Sequence, residues 1–573
     1  MGLFTKKKKV EYKYPWDRFY DEDKRTIELP DISIYSYLEK SCFERLDVYA
    51  LNYFGVKITF KEFLEKIDLC AKALASSGVR CGDVVSICMP NTPEAVIMFF
   101  ATNKIGAIAN MIHPLSSKEE IKEALISTKS VFFQVININY EKLKDIIKET
   151  DVYKTVVVSA RESMPSLLSL GYFLTNDLKI NFESTEEFMD WNSFIERGYK
   201  YDKNVEVLRS KDDDAVYLSS GGSTGVPKKI VLTNGNINTI TEQGKIAFPL
   251  LDETDRFLSI LPIFHCFGLC VNVVSPLCYG CTITLVPQFD ATKFDKLLNK
   301  YKPTVLIGVP TLFEAMIKSN RMGKVDLHEL KYVISGGDSL SEQRNEMVND
   351  FLKSHKSPVT ITQGYGMTET SGPVTFGALG SDKLGSVGIP LPGNVIKILD
   401  VETREEKDTG EIGEICITGP SLMSRYLNNK KETEETIYVD DQKRRWVHTG
   451  DLGYMDKDGV FFYVQRLKRM LIVSGYNVYP NHLETVIMKH PKVEICGVIG
   501  VPHPYKVQVP VAYIVPKKGV EVTPELLNEI KDYCKDNLAK YMLPKKYIFK
   551  DALPKTMVGK INYKELEKEY DQW

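Results

Sequence analysis

The chain carries almost no surplus charge of either sign. Its 573 residues hold 74 Lys and Arg against 76 Asp and Glu. That balance leaves no global field to gather nucleic acid. A cysteine pattern that would mark a disulfide framework is also missing. The count is 11, an odd number scattered through a long chain, and the N-terminal segment lacks the apolar core of a signal peptide. Free thiols in a reducing compartment are therefore expected instead of a disulfide framework. The last residues, Tyr570-Asp571-Gln572-Trp573, match no retention or peroxisomal tail, so the expected location is cytoplasmic. Gly2 is not followed by Ser or Thr at position 6, where Lys6 stands, so the myristoylation pattern fails. Residues 257–289 contain no Asp, Glu, Lys or Arg. Their length would allow a membrane span. However, Pro262, Gly268, Pro276, Gly280 and Pro287 break the run, and pieces such as Cys281–Val286 are expected to be buried strands.

What is present fits a globular enzyme of several domains: 43% hydrophobic and 26% charged residues over a length that allows more than one core. The exception is Lys6–Lys9, read as part of a basic flexible arm over residues 1–30. A solvated arm is one reading, and peripheral contact with an anionic membrane surface is the other. Strand-length apolar runs, Val84–Cys88, Val131–Phe133, Thr155–Val158, Val305–Ile307 and Tyr332–Ile334, alternate with helix-like segments. Among those helices are one from Pro93, with Asn91 or Thr92 as cap, Phe294–Lys300 and Ser341–Leu352. Such alternation predicts an α/β fold with mostly parallel sheets covered on both faces. Residues 159–213 are polar and read as an insertion or surface loops. Beyond residue 395 the texture changes. Ile396–Leu399 and Glu414–Ile417 predict strands of a small β-barrel-like subdomain. After Arg466 a small α+β domain follows, with strands Val493–Val501, Val511–Val515 and Tyr547–Phe549 and a helix Pro524–Leu538. The expected domains are thus 31–465 and 466–573.

The chemistry centres on Tyr217-Leu-Ser-Ser-Gly-Gly-Ser-Thr-Gly-Val-Pro-Lys-Lys229. Glycines let backbone amides approach an anion, and hydroxyls with an ammonium complete a phosphate cradle. It is not a Walker loop, because Gly225 is followed by Val-Pro-Lys and not by Lys-Ser/Thr. His265, Cys266, Cys270, Cys278 and Cys281 offer zinc-ligand chemistry, but free cysteines often pack as small hydrophobes, and that reading is the weaker one.

The run Ser220-Gly-Gly-Ser-Thr-Gly-Val-Pro-Lys228 resembles the signature of the adenylate-forming superfamily, in particular its acyl-CoA synthetases. Four further segments resemble that family in the same order: Gln363–Glu369, Trp446–Asp451, Arg466–Lys468 with Ser474–Pro480, and Leu553–Lys560. The resemblance covers about residue 35 to the end and implies a large N-terminal domain with a small mobile C-terminal one. It implies an AMP-forming acid–thiol ligase that uses ATP, Mg²⁺ and coenzyme A. A fatty acid is the expected substrate, with an aryl acid or a carrier-protein acceptor as alternatives.

On the matching positions, the resemblance implies that Ser220, Gly221, Gly222, Ser223, Thr224, Gly225 and Lys228 grip the phosphates, with Thr224, His265 and Glu369 also counted as catalytic. Gly336, Gly337, Asp338, Gly364, Tyr365, Gly366, Met367 and Thr368 would hold the adenylate, with Tyr365 stacking on adenine. Glu369 would hold Mg²⁺, Asp451 the ribose, and Arg466 would assist. Lys468 is the implied hinge. Lys560 is the implied catalytic lysine that bridges carboxylate and α-phosphate, where positive charge must screen two anions. His265, Gly308 and Gly336 would border the acyl pocket, and Ser474, Gly475 and Tyr476 the CoA side. Leu261–Gly268 contains no acid to pair an α-ammonium, which disfavours amino acids. Four places depart from the family pattern: Lys229 and Gln465 stand where glycine is usual, His482 where an acid is usual, and Val507-Gln508 where Gly-Glu is usual.

Overall fold

The computed structural model describes residues 12–571 except 181, 221–227, 378, 475, 504 and 556–559. Lys6–Lys9, Gly221, Gly222, Ser223, Thr224, Gly225 and Gly475 lie outside the described residues. The chain divides into two compact units: residues up to Val395 with Thr418–Val447, and Ile396–Ile417 with His448 onward.

The first unit contains two large sheets. One has eight strands in the order Arg425–Tyr426, Lys229–Thr233, Asp214–Ser219, Ile108–Met111, Val84–Cys88, Ser130–Ile136, Lys154–Val158, Phe188–Asp190. From Asp214–Ser219 to Phe188–Asp190 neighbouring strands are parallel. The other has nine strands, with Thr282–Leu285, Arg256–Ser259, Val305–Gly308, Tyr332–Ser335 and Ile361–Met367 side by side and parallel. The expected parallel α/β architecture is therefore present. Mainly apolar strands such as Val84–Cys88 are buried along their whole length, with the one polar side chain, Ser86, hydrogen-bonded to Ser130 and Asn110, as strands covered on both faces must be. Helices start where the sequence marks them. Pro93–Lys104 begins with Pro at its first turn, and Thr92 accepts the amide of Ala95. Glu342–Ser354 is capped by Ser341, which accepts from Arg344.

Two expectations are corrected. The uncharged stretch is not only strands, because Phe267–Val274 is a wide helical coil that continues into the helix Ser275–Cys278. Gly268 permits this, since a Cβ there would lie 2.0 Å from the carbonyl oxygen of Pro262. Nor is 159–213 only loop. It carries helices Ser166–Thr175 and Trp191–Tyr199 and the edge strand Phe188–Asp190. Among the described residues no helix is long and apolar enough to cross a membrane.

The second unit holds most of a small sheet ordered Val395–Leu399, Gly413–Thr418, Arg445–Met455, with Phe461–Arg466 antiparallel to the last. It also holds a five-stranded sheet built on the long hairpin Val493–His503 and Val507–Pro516. Helices Pro480–Met488 and Pro524–Asn537 cover this sheet over a core that includes Leu471, Leu483, Ile487, Val498, Ile514 and Ile530.

Candidate active site

Strands Asp214–Ser219 and Lys229–Thr233 form an antiparallel pair that carries the phosphate-loop sequence at its end. Ser220 closes the mouth of that loop. Its amide donates to the carbonyl of Lys228 at 2.8 Å, and the Lys228 amide donates to Ser220 Oγ at 3.1 Å. Lys228 Nζ forms an ion pair with Glu432 and lies 5.0 Å from the centre of the Tyr426 ring. The Tyr426 hydroxyl donates to Glu369 Oε1 at 2.8 Å. Burial first, and then the Glu369 charge, push the Tyr426 phenol well above its ordinary range. Glu369 is 8% exposed and follows the strand Ile361–Met367 in the short helix Thr368–Thr370. Its backbone carbonyl accepts the Met423 amide at 2.8 Å. Lys228, Tyr426 and Glu369 are thus one connected group. A single carboxylate with hard oxygen donors, set beside a cationic phosphate-loop residue, fits Mg²⁺ on a polyphosphate better than it fits a softer metal.

His265 lies just before the helical segment Phe267–Val274. The Phe267 amide donates to His265 Nδ1 at 3.3 Å, which places the proton of a neutral imidazole on Nε2. Cys266 Sγ is 3.5 Å from the Thr368 hydroxyl, and burial raises its thiol to about 12. The ring of Phe267 forms a wall against the turn after strand Tyr332–Ser335. A Cβ on Gly336 would be 2.9 Å from Phe267 Cζ, and Gly337 has φ +78°. Gly336 donates its amide to the Gly308 carbonyl at 3.1 Å. Asp338 is exposed and accepts the Ser339 amide. Tyr365 is half-buried, and its amide donates to Thr375 Oγ1. Gly364 and Gly366 face the adjoining strand closely, with Thr375 O and Gly372 O 3.1 and 1.9 Å from where their Cβ atoms would be. His265, Gly308, Gly336, Gly337, Thr368 and Glu369 are therefore gathered at one end of the nine-stranded sheet.

Lys229 is the anomaly beside the loop. Its side chain turns to the other face of the strand, where Nζ donates to Asn110 Oδ1 at 2.8 Å. Burial lowers its pKa to about 8. A base with a depressed folded-state pKa keeps its proton longer in the unfolded chain. Stability should therefore rise as pH increases from about 8 to about 10.4, the unfolded lysine value. We expect wild type to gain up to about 3 kcal/mol over that window relative to Lys229→Met, measured by urea denaturation at both ends. A parallel pH dependence of the two proteins would contradict it.

In the second unit, Asp451 and Arg466 are cross-strand partners, with Arg466 Nε 3.1 Å from Asp451 Oδ1 and Asp451 2% exposed. The turn before Asp451 is held by Glu414, whose Oε1 accepts the Gly450 amide at 3.1 Å. Glu414 Oε2 faces His448 Nδ1 at 3.0 Å and pairs with Arg404, and Cys416 Sγ is 3.3 Å from the same His448 nitrogen. Burial alone would raise Glu414, but the hydrogen bond and charge of His448 hold it below the ordinary carboxylate range. These three are the group of potential metal donors found among the described residues. His265, Cys266, Cys270, Cys278 and Cys281 do not gather into one. Lys468 is exposed in the short helix Leu467–Arg469. Ser474 has φ +52° and donates its amide to Lys506 O, and Tyr476 stacks on Tyr541 at 4.6 Å. Lys560 is exposed before the helix Tyr563–Asp571.

Tyr426, Glu432 and Phe267 contact singled-out residues of the first unit, and Glu414 contacts the turn before Asp451 in the second, though none of the four was itself named as a candidate from the sequence. Tyr426 and Glu432 act across 57 and 204 residues of sequence. The one available signal was Phe267, an aromatic two residues after His265 in an uncharged run.

Two sheets of parallel α/β type, with a strand pair that carries the Ser/Gly-rich loop sequence and an acidic residue tied to it, are the arrangement to set against known proteins. The AMP-binding enzyme family matches residues 38–427, and the AMP-binding enzyme C-terminal domain matches 482–560. The chain belongs to this adenylate-forming family. It is 30% identical over 564 residues to a long-chain-fatty-acid–CoA ligase of Bacillus subtilis, covering 97% of this chain and 98% of the relative. A probable 4-coumarate–CoA ligase 1 of Dictyostelium discoideum is 31% identical, with 89% and 91% covered. In fold it resembles an anthranilate CoA ligase solved with anthranoyl-AMP, with a TM-score of 0.82, 24% identity, and 95% and 98% of the two chains covered. The chain is accordingly an acid–thiol ligase of the AMP-forming class.

Proposed function

We propose that the enzyme activates a fatty or closely related aliphatic acid to its acyl-adenylate and then transfers the acyl group to coenzyme A. The observation that carries the first step is the connected group Lys228–Tyr426–Glu369, which sets a cation and a carboxylate side by side at the end of the phosphate-loop strands. In that step a carboxylate oxygen attacks the α-phosphorus of ATP, the α–β anhydride bond breaks, and pyrophosphate leaves. In the second, the CoA sulfur, having lost its proton, attacks the acyl carbonyl. The bond to AMP breaks and a thioester forms.

Ser220 and Lys228 would grip the departing phosphates, with Lys228 exchanging Glu432 for phosphate oxygen. Glu369, oriented by Tyr426, would hold Mg²⁺, whose charge neutralises the β- and γ-phosphates. His265, with its proton on Nε2, would donate toward the substrate carboxylate. Asp451 would accept the ribose hydroxyls with Arg466 beside it, and Lys560 would bridge carboxylate and α-phosphate. Lys468 would be the hinge between the two half-reactions, at the start of a domain over 466–573, and Ser474 and Tyr476 would face CoA.

The uncharged run around His265 supports an aliphatic acid, and so does the small wall at Gly308 and Gly336. Gly336→Ala should push Phe267 aside and raise the KM for the acid about three- to tenfold, with a smaller rise in the KM for ATP. Equal shifts in both constants would place Gly336 outside the acid pocket. A second reading, transfer to a carrier protein, is favoured by Val507-Gln508, where Val507 is exposed at φ +66° and Gln508 Oε1 accepts the Ile472 amide. AMP release measured with and without CoA separates the two. CoA-dependent release supports a CoA acceptor, and acid-dependent adenylate formation without CoA turnover supports the carrier.

A further inference from the structure

The helix Ser166–Thr175 reverses the usual pattern of a surface helix. Its sequence SLLSLGYFLT has no charged residue, and none of its residues is buried. Tyr172 and Phe173 are half-buried, with the Arg161 guanidinium 4.9 Å from the Phe173 ring. The outward ridge is leucine. Leu167 is 83% exposed, Leu170 55% and Leu174 56%, and Leu178 follows at 60%. Spacings of three and four residues put them on one side.

The ridge does not stand alone. The parallel strands Ile108–Met111, Ser130–Ile136 and Lys154–Val158 all end at the same edge of the eight-stranded sheet. Leu115 follows the first and Ile138 the second, and both are more than half exposed. The helix follows the third. Hydrogen bonds bind these exits together. Asn139 Nδ2 donates to Pro114 O at 2.6 Å, and Asn137 Nδ2 donates to Asp177 Oδ1 at 2.8 Å. Asp177 also receives Ser159 Oγ and Arg161 Nε. The result is a braced apolar rim along the carboxyl edge of the sheet.

That edge is also the functional one. Asp214–Ser219 runs parallel to Ile108–Met111 and delivers Ser220 at the same end. Leu115 donates its amide to His113 Nδ1 at 2.9 Å, and the His113 ring packs 4.1 Å from the ring of Phe264, the neighbour of His265.

We infer that this rim is a docking surface for a zwitterionic lipid bilayer, with the leucine ridge entering the headgroup–acyl boundary. Two features select that occupant. A ten-residue helix is about 15 Å long, so its ridge covers a small fraction of the roughly 800 Å² that each partner of a stable protein complex buries. A bilayer needs no matching shape. The ridge also carries no charge to select a protein partner or an anionic headgroup, while leucines suit the boundary itself. The helix is too short to span the roughly 30 Å hydrocarbon core. Docked this way, the rim would deliver a lipid-dissolved acid beside Phe264 and His265. That supply role rests on the aliphatic-acid reading, whereas the docking does not.

The test is flotation of the full chain with phosphatidylcholine vesicles. Wild type should float, and Leu167→Asn/Leu170→Asn/Leu174→Asn should partition about tenfold less or worse. The variant's thermal unfolding and its pyrophosphate exchange with monomeric acid should be unchanged. Independently, Leu170→Trp should give blue-shifted emission on adding vesicles, a readout that needs no loss of binding. Absence of flotation would overturn the docking surface. So would flotation only on phosphatidylserine vesicles, or a concentration-dependent dimer that the triple variant dissociates. Vesicle binding without exchange on any aliphatic acid would uphold the docking and remove the supply role.

Discussion

Lys560→Ala is expected to reduce adenylation from free acid and ATP by about two to three orders of magnitude while leaving thiol transfer from supplied acyl-AMP within a few-fold of wild type. The reason is electrostatic. Two anions, the carboxylate and the α-phosphate, must approach to bonding distance in the first step, and removing the ammonium leaves their repulsion unscreened. In the second step the carboxylate has already become an ester-like mixed anhydride and the sulfur attacks a neutral carbonyl carbon, so the same ammonium has less to offset. Acid-dependent pyrophosphate exchange reports the first step, and AMP release from added acyl-AMP plus CoA reports the second. Equal loss in both assays would remove Lys560 from the proposed role.

Arg469→Ala is expected to cost the second unit about 3–5 kcal/mol. The Arg469 guanidinium donates to Glu484 Oε1 at 2.7 Å, to Asn481 Oδ1 and to the Val498 carbonyl, and lies 3.6 Å over the Tyr563 ring. Glu484 is 6% exposed and also receives the Val498 amide and the Tyr563 hydroxyl. Burial pushes its carboxyl up, against the pull of Arg469. Truncating the arginine strands that carboxylate in the core, whereas Arg469→Met with Glu484→Gln removes both charges and should recover most of the loss. Denaturant unfolding of the two variants checks this. A double variant no more stable than the single one would show that the ion pair is not the source of the cost.

The same residues show where the sequence was legible. Val84–Cys88 and Tyr332–Ser335 could be read as buried strands because four- to five-residue apolar runs between turn signals have few other solutions. Phe267–Cys278 could not be read as helix, since a stretch that is buried nearly all round has no polar face and hence no period to detect. Glu369 was legible as a site residue because its motif is contiguous. Its orienting group Tyr426 was not, because the contact joins segments 57 residues apart and depends on strand Arg425–Tyr426 pairing with Ile230 and Val231. Gln465, noted as a departure from the family glycine, takes its meaning from a contact made across the chain: its Oε1 accepts the Asn481 amide at 3.3 Å. Lys229 was likewise visible as an oddity, but its partner Asn110 is 119 residues away.

Activation of an aliphatic acid by ATP is tested most directly by acid-dependent ATP–pyrophosphate exchange. Wild-type enzyme is incubated with labelled pyrophosphate, ATP, Mg²⁺ and a panel of fatty and aryl acids, without CoA. Exchange should require the acid, be strongest with an aliphatic member, and be lost in Lys560→Ala. No exchange with any acid would contradict adenylation, and exchange confined to aryl acids would contradict the aliphatic substrate.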